Sequence, residues 1–110
     1  MNQRRALKTI STPDLRVTWA SPSFYSFFGV SPADIIGLPI FSMPSIDPSH
    51  REQVRIKLQA VIDNRAGLVS IEPAIRHIEG CEIRCTVKWL DKPIIESGLV
   101  VSIHSIGYPS

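Results

Sequence analysis

Three histidines and two cysteines are the residues of this 110-residue chain best suited to hold a metal or act as a nucleophile. Cys81 and Cys85 lie four apart in a segment that alternates like a strand, which sets their Cα atoms roughly 13 Å apart on one side. That separation is too wide for a disulfide. No His or Cys stands close enough in sequence to complete a zinc-like set, so the two read as small apolar fillers of a reduced interior. His50 and His77 fall at a helix start and by a turn, where surface or capping roles are expected, and His104 alternates with Ile103 and faces outward. Nine of the ten acidic residues, Asp34, Asp47, Glu52, Asp63, Glu72, Glu79, Glu82, Asp91 and Glu96, fall at caps, turns or polar strand faces. No Ser/His/Asp or Cys/His arrangement is recognisable, and the six glycines are spread singly through turns, so no phosphate cradle forms. The chain does not read as an enzyme.

The elements that would position these side chains follow from patterning. Thr9 to Thr12 and Val17 to Trp19 flank the turn signal Pro13-Asp14 and read as a hairpin. Ser21-Pro22 and Ser31-Pro32 each place a cap before a proline at the first helical position, with Gly29 and Gly37 as stops. The first short helix carries Phe24, Phe27 and Phe28 on one face, the second Ile35 and Ile36. Leu38 to Ile46 is broken by Pro39 and Pro44 and reads as an ordered covering loop. From Pro48 to about Asn64 the stripe Val54, Leu58, Val61 and Ile62 predicts one longer helix, with Arg51, Glu52, Arg55, Lys57 and Gln59 largely opposite. Beyond Gly67 the period changes to two. Val69, Ile71, Pro73 and Ile75 alternate with Ser70, Glu72, Ala74 and Arg76, and Pro73 argues for an edge or a bulge. After the Glu79-Gly80 turn, Cys81, Ile83, Cys85, Val87 and Trp89 alternate with Glu82, Arg84, Thr86 and Lys88. Asp91-Lys92-Pro93 and Glu96-Ser97-Gly98 bracket a connection to a last strand, Leu99 to Ile106. The order predicts an α+β domain, a five-stranded antiparallel sheet with short helices and one longer helix on one face.

Size and charge agree with one domain over 1–110, its core at about 7–106. An apolar fraction of 44% can close one core, and Lys+Arg 12 against Asp+Glu 10 gives no concentrated basic face for nucleic acid. No run is long enough to cross a bilayer and the start lacks the apolar core of a signal peptide, so no membrane partner and a cytoplasmic location are expected.

Three segments in order resemble the PAS sensory family over about Leu7 to Ile106. Trp19-Ala20-Ser21-Pro22-Ser23-Phe24 and Phe28-Gly29-Val30-Ser31-Pro32-Ala33-Asp34-Ile35-Ile36-Gly37 are similar to its "aNpaF…lGys.eEliGk" signature. Ile46-Asp47-Pro48-Ser49-His50-Arg51 is similar to "vhPdDr", and Glu72, Arg76 and Glu79-Gly80 to "E.r.r.kdG". Ser21 replaces the family's frequent Asn, His50 its second acidic residue, and Cys85 lies near a frequent aromatic.

The resemblance implies a signal-transduction module whose pocket lies between helices and sheet. Phe24, Phe28, Ile36, Ile40, Phe41, Leu58, Ile62, Ile75, Ile83 and Ile103 are the residues expected around it, the alternative being that they simply pack as core. Haem-binding relatives carry a histidine near the end of the long helix, where this chain reads Ala60-Val61-Ile62-Asp63-Asn64. Photoactive flavin relatives need an Asn-Cys-Arg-Phe-Leu-Gln-like segment, and nothing similar occurs between Gly37 and His50. Haem and covalent flavin are therefore disfavoured, and the ligand is left unnamed. The implied action is to bind a small ligand or a partner and relay the state through a homodimer, with outer-face residues such as Val100 or Ile106 and the N-terminal segment as contacts. Nothing resembles an output module, so the chain reads as an excised piece of a longer receptor. A ligand-free dimerisation domain and a cone-shaped isomerase-like enzyme are the alternatives; the latter needs a carboxylate buried in the pocket.

Overall fold

The computed structural model describes residues 6–110. The first five residues of the N-terminal segment, expected to contribute to self-association, lie outside them. Two short strands, β1 (Leu7–Ser11) and β2 (Val17–Ala20), lead into helices α1 (Pro22–Phe28) and α2 (Pro32–Ile35). Two 3-10 turns, Ile40–Ser42 and Pro48–His50, then precede the long helix α3 (Arg51–Asn64). Strands β3 (Leu68–Ile78), β4 (Cys81–Glu96) and β5 (Leu99–Pro109) complete a single antiparallel sheet in the order β2-β1-β5-β4-β3. The predicted α+β architecture is therefore the observed one.

The short helices form where capping chemistry marks them. The Ser21 hydroxyl accepts from the Phe24 N–H at 3.3 Å, and Pro22 takes the first helical position. At α2 the Asp34 carboxylate accepts from the Ser31 N–H at 3.0 Å and its hydroxyl at 2.9 Å, which holds the carboxyl below its ordinary value. Asp47 caps the turn before α3 through the Ser49 N–H, and that bond, with the Ser49 hydroxyl and Arg84, lowers its pKa likewise. Phe24 and Phe28 are fully buried, their rings 4.7 Å apart, and each contributes about 2–3 kcal/mol by leaving water.

Residues 38–46 form a strap and not a loose loop. Val17 N–H donates to Leu38 O, Gly37 N–H to Val17 O and Ile40 N–H to Leu15 O, while Ile75 N–H donates to Ser45 O at the far side. The strap thus joins the β2 edge to the β3 edge across the helical layer.

Three expectations about the sheet are corrected. The two-residue turn at Glu79 and Gly80, both at positive φ, pairs Val87 with Glu72 and Trp89 with Ser70. Directly opposed residues share a face, so once Val87 is buried the register carries Ser70, Glu72 and Ala74 inward. Val69 and Ile71 consequently point to solvent, Ile71 at 70% exposure, although Ile75 further along is buried. Second, Asp91-Lys92-Pro93 is not a connection: β4 runs through it to Glu96 and reverses at Ser97-Gly98. Pro93 is tolerated because pairing to β3 stops at Asp91, leaving that edge of β4 without a donor requirement. Third, Cys81 is exposed and Cys85 half-buried, so the two do not together fill an interior. Burial pushes the Cys85 thiol up, with Arg76 pulling the other way.

Gly29 closes α1 at φ 70° and lies directly against β3, where an added Cβ would stand 1.7 Å from the His77 carbonyl oxygen. Gly80 shares the positive φ but has open space around it. Gly80→Ala is expected to cost about 1–2 kcal/mol for the left-handed backbone alone, and Gly29→Ala clearly more, since α1 must separate from β3. Urea denaturation of the two variants checks the difference, and equal midpoints would contradict it.

Candidate ligand cavity

Between α3, the strap and the inner sheet face lies a cavity of about 40 Å³. Most of its wall is apolar, including Phe28, Ile40, Met43, Val54, Leu58 and Trp89. The Trp89 ring reaches it by lying over Gly107, where a Cβ would come within 2.6 Å of the indole. The volume is well below the roughly 300–1,000 Å³ of drug-sized ligand sites and suits a few atoms.

The rest of the wall is polar and charged. Lys57 comes from α3 with its side chain only 13% exposed and forms ion pairs with Glu72 on β3 and Asp91 on β4, whose side chains are 8% and 3% exposed. Its ammonium donates to the Glu72 carboxylate and, at 2.9 Å, to the Ser70 hydroxyl, which itself donates to Glu72 at 2.9 Å. Asp91 Oδ2 stands 3.0 Å from Lys57 Nζ, in ion-pair contact but outside hydrogen-bond geometry. His50 Nε2 lies 3.6 Å from the other Glu72 oxygen, at the rim.

Across the sheet, Thr9 of β1, Ser105 of β5 and Asp91 of β4 pair in register and form one inward row. Thr9 Oγ1 and Ser105 Oγ are buried without a hydrogen-bond partner among the described residues, and both line the cavity. Ser11 Oγ and Arg51 Nε are likewise unpartnered, yet neither reaches the cavity wall.

Of the ten residues expected around a pocket, Phe28, Ile40 and Leu58 line it. Phe24, Ile75 and Ile103 are buried without reaching it, and Phe41 and Ile62 pack half-buried against the core. Ile36 and Ile83 are 44% and 43% exposed and take no part: Ile36 stands just past the end of α2, and Ile83 lies in β4 near the Glu79-Gly80 turn, opposite Arg76. The charged group is the larger correction. Lys57 is not opposite the apolar stripe of α3, because three- and four-residue steps place it between Val54, Leu58 and Val61. Asp91 keeps the parity of Val87 and Trp89, a signal hidden by reading Asp91-Lys92-Pro93 as a turn. Glu72 turns inward for the register reason above.

Of the residues singled out for metal or nucleophilic chemistry, His50 comes to the rim and the others stand elsewhere. His77 Nε2 is 3.3 Å from Pro44 O, His104 is exposed, and neither cysteine lines the cavity. Among the described residues no cluster of three or more His, Cys, Asp or Glu is arranged to hold a metal. Arg76 instead fastens α1 to the sheet, its guanidinium 4.0 Å above the Phe27 ring and its Nε–H donating to Phe27 O at 2.8 Å.

The sequence pattern that defines the PAS fold matches residues 2–104, nearly the whole chain. The chain belongs to the PAS fold family. Among curated proteins none matches it in sequence. Among solved structures, this PAS domain is similar to that of the quorum-sensing receptor RpfR of Cronobacter turicensis in complex with BDSF. The TM-score is 0.75 at 10% identity, over 99% of this chain and 97% of that one. It is similar to a PAS domain from Colwellia psychrerythraea with a TM-score of 0.79 at 12% identity, over 96% and 86% of the two chains. It is also similar to the VqmA dimer of Vibrio cholerae, described with the DNA-binding mechanism of LuxR-type receptors. There the TM-score is 0.75 at 15% identity, and 96% of this chain covers 46% of that one. At these identities the likeness is one of fold. Among the described residues no helix is long and apolar enough to cross a membrane.

Removing Lys57 takes the shared cation from two buried carboxylates and leaves Asp91 without its ion-pair partner, so Lys57→Met is expected to lose about 3–5 kcal/mol of stability. Adding Glu72→Gln and Asp91→Asn to that variant should restore most of it. Urea denaturation of the single and triple variants measures both, and a single variant as stable as the parent would refute the account.

Proposed function

We propose that this PAS domain is a sensory module that binds a small molecule in the cavity between α3, the strap and the sheet, and relays its occupancy instead of catalysing a reaction. The observation that carries this reading is the cavity with the buried, unpartnered hydroxyls of Thr9 and Ser105 on its wall. Buried polar groups without partners are costly, and an occupant that satisfies them would bind at their expense. The ligand-bound RpfR domain, similar in fold over nearly its whole length, supports it. Because the strap is hydrogen-bonded to β2 and β3, a ligand larger than a few atoms must shift it, and that shift carries the signal toward the sheet.

Glu72 and Asp91 meet the requirement for buried carboxylates that an isomerase-like enzyme would have, so position alone does not separate the two readings. Their shared ion pair with Lys57 favours the sensory reading, since it gives both carboxylates a structural partner, while Asp91 Oδ2 keeps room to accept a hydrogen bond. An exposed thiol at Cys81 suits a reducing, cytoplasmic setting. Fusion to an output module, in the manner of the longer VqmA chain, is part of the same reading.

A thermal-shift screen of small metabolites, followed by native mass spectrometry, is expected to find at least one binder that raises Tm by several degrees at about 100 Kd, near 2.7 kcal/mol of linkage. Ala74→Leu, which fills the cavity, should remove the shift. A shift that survives this substitution, or a domain that no small molecule stabilises, would favour a self-filled structural module.

The relay surface we propose is the outer sheet face. Ile106 is half-buried in β5, and exposed Val69, Ile71 and Tyr108 extend the apolar area around it, whereas Val100, expected beside it, pairs with Ile95 across a bulge that turns it to the other face. Sedimentation equilibrium is expected to show a dimer that Ile71→Lys weakens; a strict monomer at high concentration would count against this surface.

A further inference from the structure

The charge arrangement of the cavity restricts the head group it can accept. Among the described residues Lys57 is the one cationic side chain on the cavity wall, and its ammonium is already engaged by Glu72, Asp91 and Ser70. One ammonium against two carboxylates leaves the cluster with a formal excess of one negative charge. What lacks a hydrogen bond is Asp91 Oδ2, which meets Lys57 only as an ion pair and can only accept, together with the Thr9 and Ser105 hydroxyls, which can donate or accept. All three residues are at least 97% buried and stand side by side in one row across β1, β5 and β4.

A ligand carboxylate entering this row would find no uncommitted cation and would face a carboxylate oxygen that offers no proton. A hydroxyl or amine head would instead donate to Asp91 Oδ2 and exchange hydrogen bonds with Thr9 and Ser105, while its apolar body lies against Met43, Leu58 and Trp89. Resting on the reading of this cavity as a ligand site, we propose that the domain selects small molecules with a hydrogen-bond-donating head, an alcohol or an amine, on a short apolar body, and rejects the matching carboxylates. Asp91 is the specificity-determining residue, and Thr9 and Ser105 hold the head in register.

The experiment compares 1-hexanol, hexylamine and hexanoate by titration into the isotopically labelled full chain, followed by amide chemical shifts at neutral pH. Hexanol or hexylamine is expected to bind at least tenfold tighter than hexanoate, with shifts centred on Thr9, Asp91 and Ser105. Which of the two binds more tightly separates a neutral donor from a cationic one. Asp91→Asn should cut the preference for the donor heads at least tenfold, and Thr9→Val, which removes only a hydroxyl, should weaken them several-fold while leaving the amide spectrum folded. Hexanoate binding as tightly as hexanol, or an unchanged preference in Thr9→Val and Asp91→Asn, would overturn the selectivity while leaving the cavity a ligand site. Failure of all three probes to move any cavity amide would overturn both.

Discussion

One buried ammonium holds the two layers of this domain together chemically. Lys57 leaves the helical layer in the middle of an apolar stripe and meets carboxylates on two neighbouring strands. Such an arrangement is seldom the most stable filling of an interior, since burying three charges costs several kcal/mol each before their attraction returns it. What it provides is a fixed relation: α3 can slide or rotate against β3 and β4 only by separating opposite charges in a region of low dielectric. The apolar wall supplies adhesion without direction, and the ion pair supplies register.

That constraint explains why the inner face of the sheet is polar where sequence patterning predicts an apolar one. Val69 and Ile71 alternate as a buried face would, yet the Glu79-Gly80 turn sets the pairing and sends Ser70 and Glu72 inward. A period-two pattern states that a strand has two faces without stating which one is covered. The choice came from β4, where Val87 and Trp89 are unambiguous, and it extends to Asp91 on the same parity. The fold was otherwise legible because its signals are local: Ser21-Pro22, Ser31-Pro32 and Asp47-Pro48 each mark a helix start by capping chemistry that needs no tertiary context. The cavity was less so. Phe28, Ile40 and Leu58 could be read from hydrophobicity, but Lys57, Glu72 and Asp91 have meaning only as a set, and nothing in one element announces its partners in the other two.

The same logic separates the exposed from the buried members of the expected pocket. Ile36 and Ile83 are as apolar as Ile40, but one stands past the end of α2 and the other near the turn end of β4, opposite the charged Arg76. Hydrophobicity predicts the wish to be covered, and the lengths of neighbouring elements decide whether cover is available. Strand β4, at 16 residues against 11 for each of its neighbours, has uncovered apolar residues at both ends.

The seat of Trp89 on Gly107 gives the molecule an optical asymmetry. Its other tryptophan, Trp19, is 44% exposed at the opposite side of the sheet, while Trp89 faces the cavity. An aqueous collisional quencher reaches Trp19 first, so the residual emission belongs mainly to the indole on the cavity wall. The protein therefore carries its own spectroscopic gauge of the interior, in which the environment of one ring follows what the layers enclose.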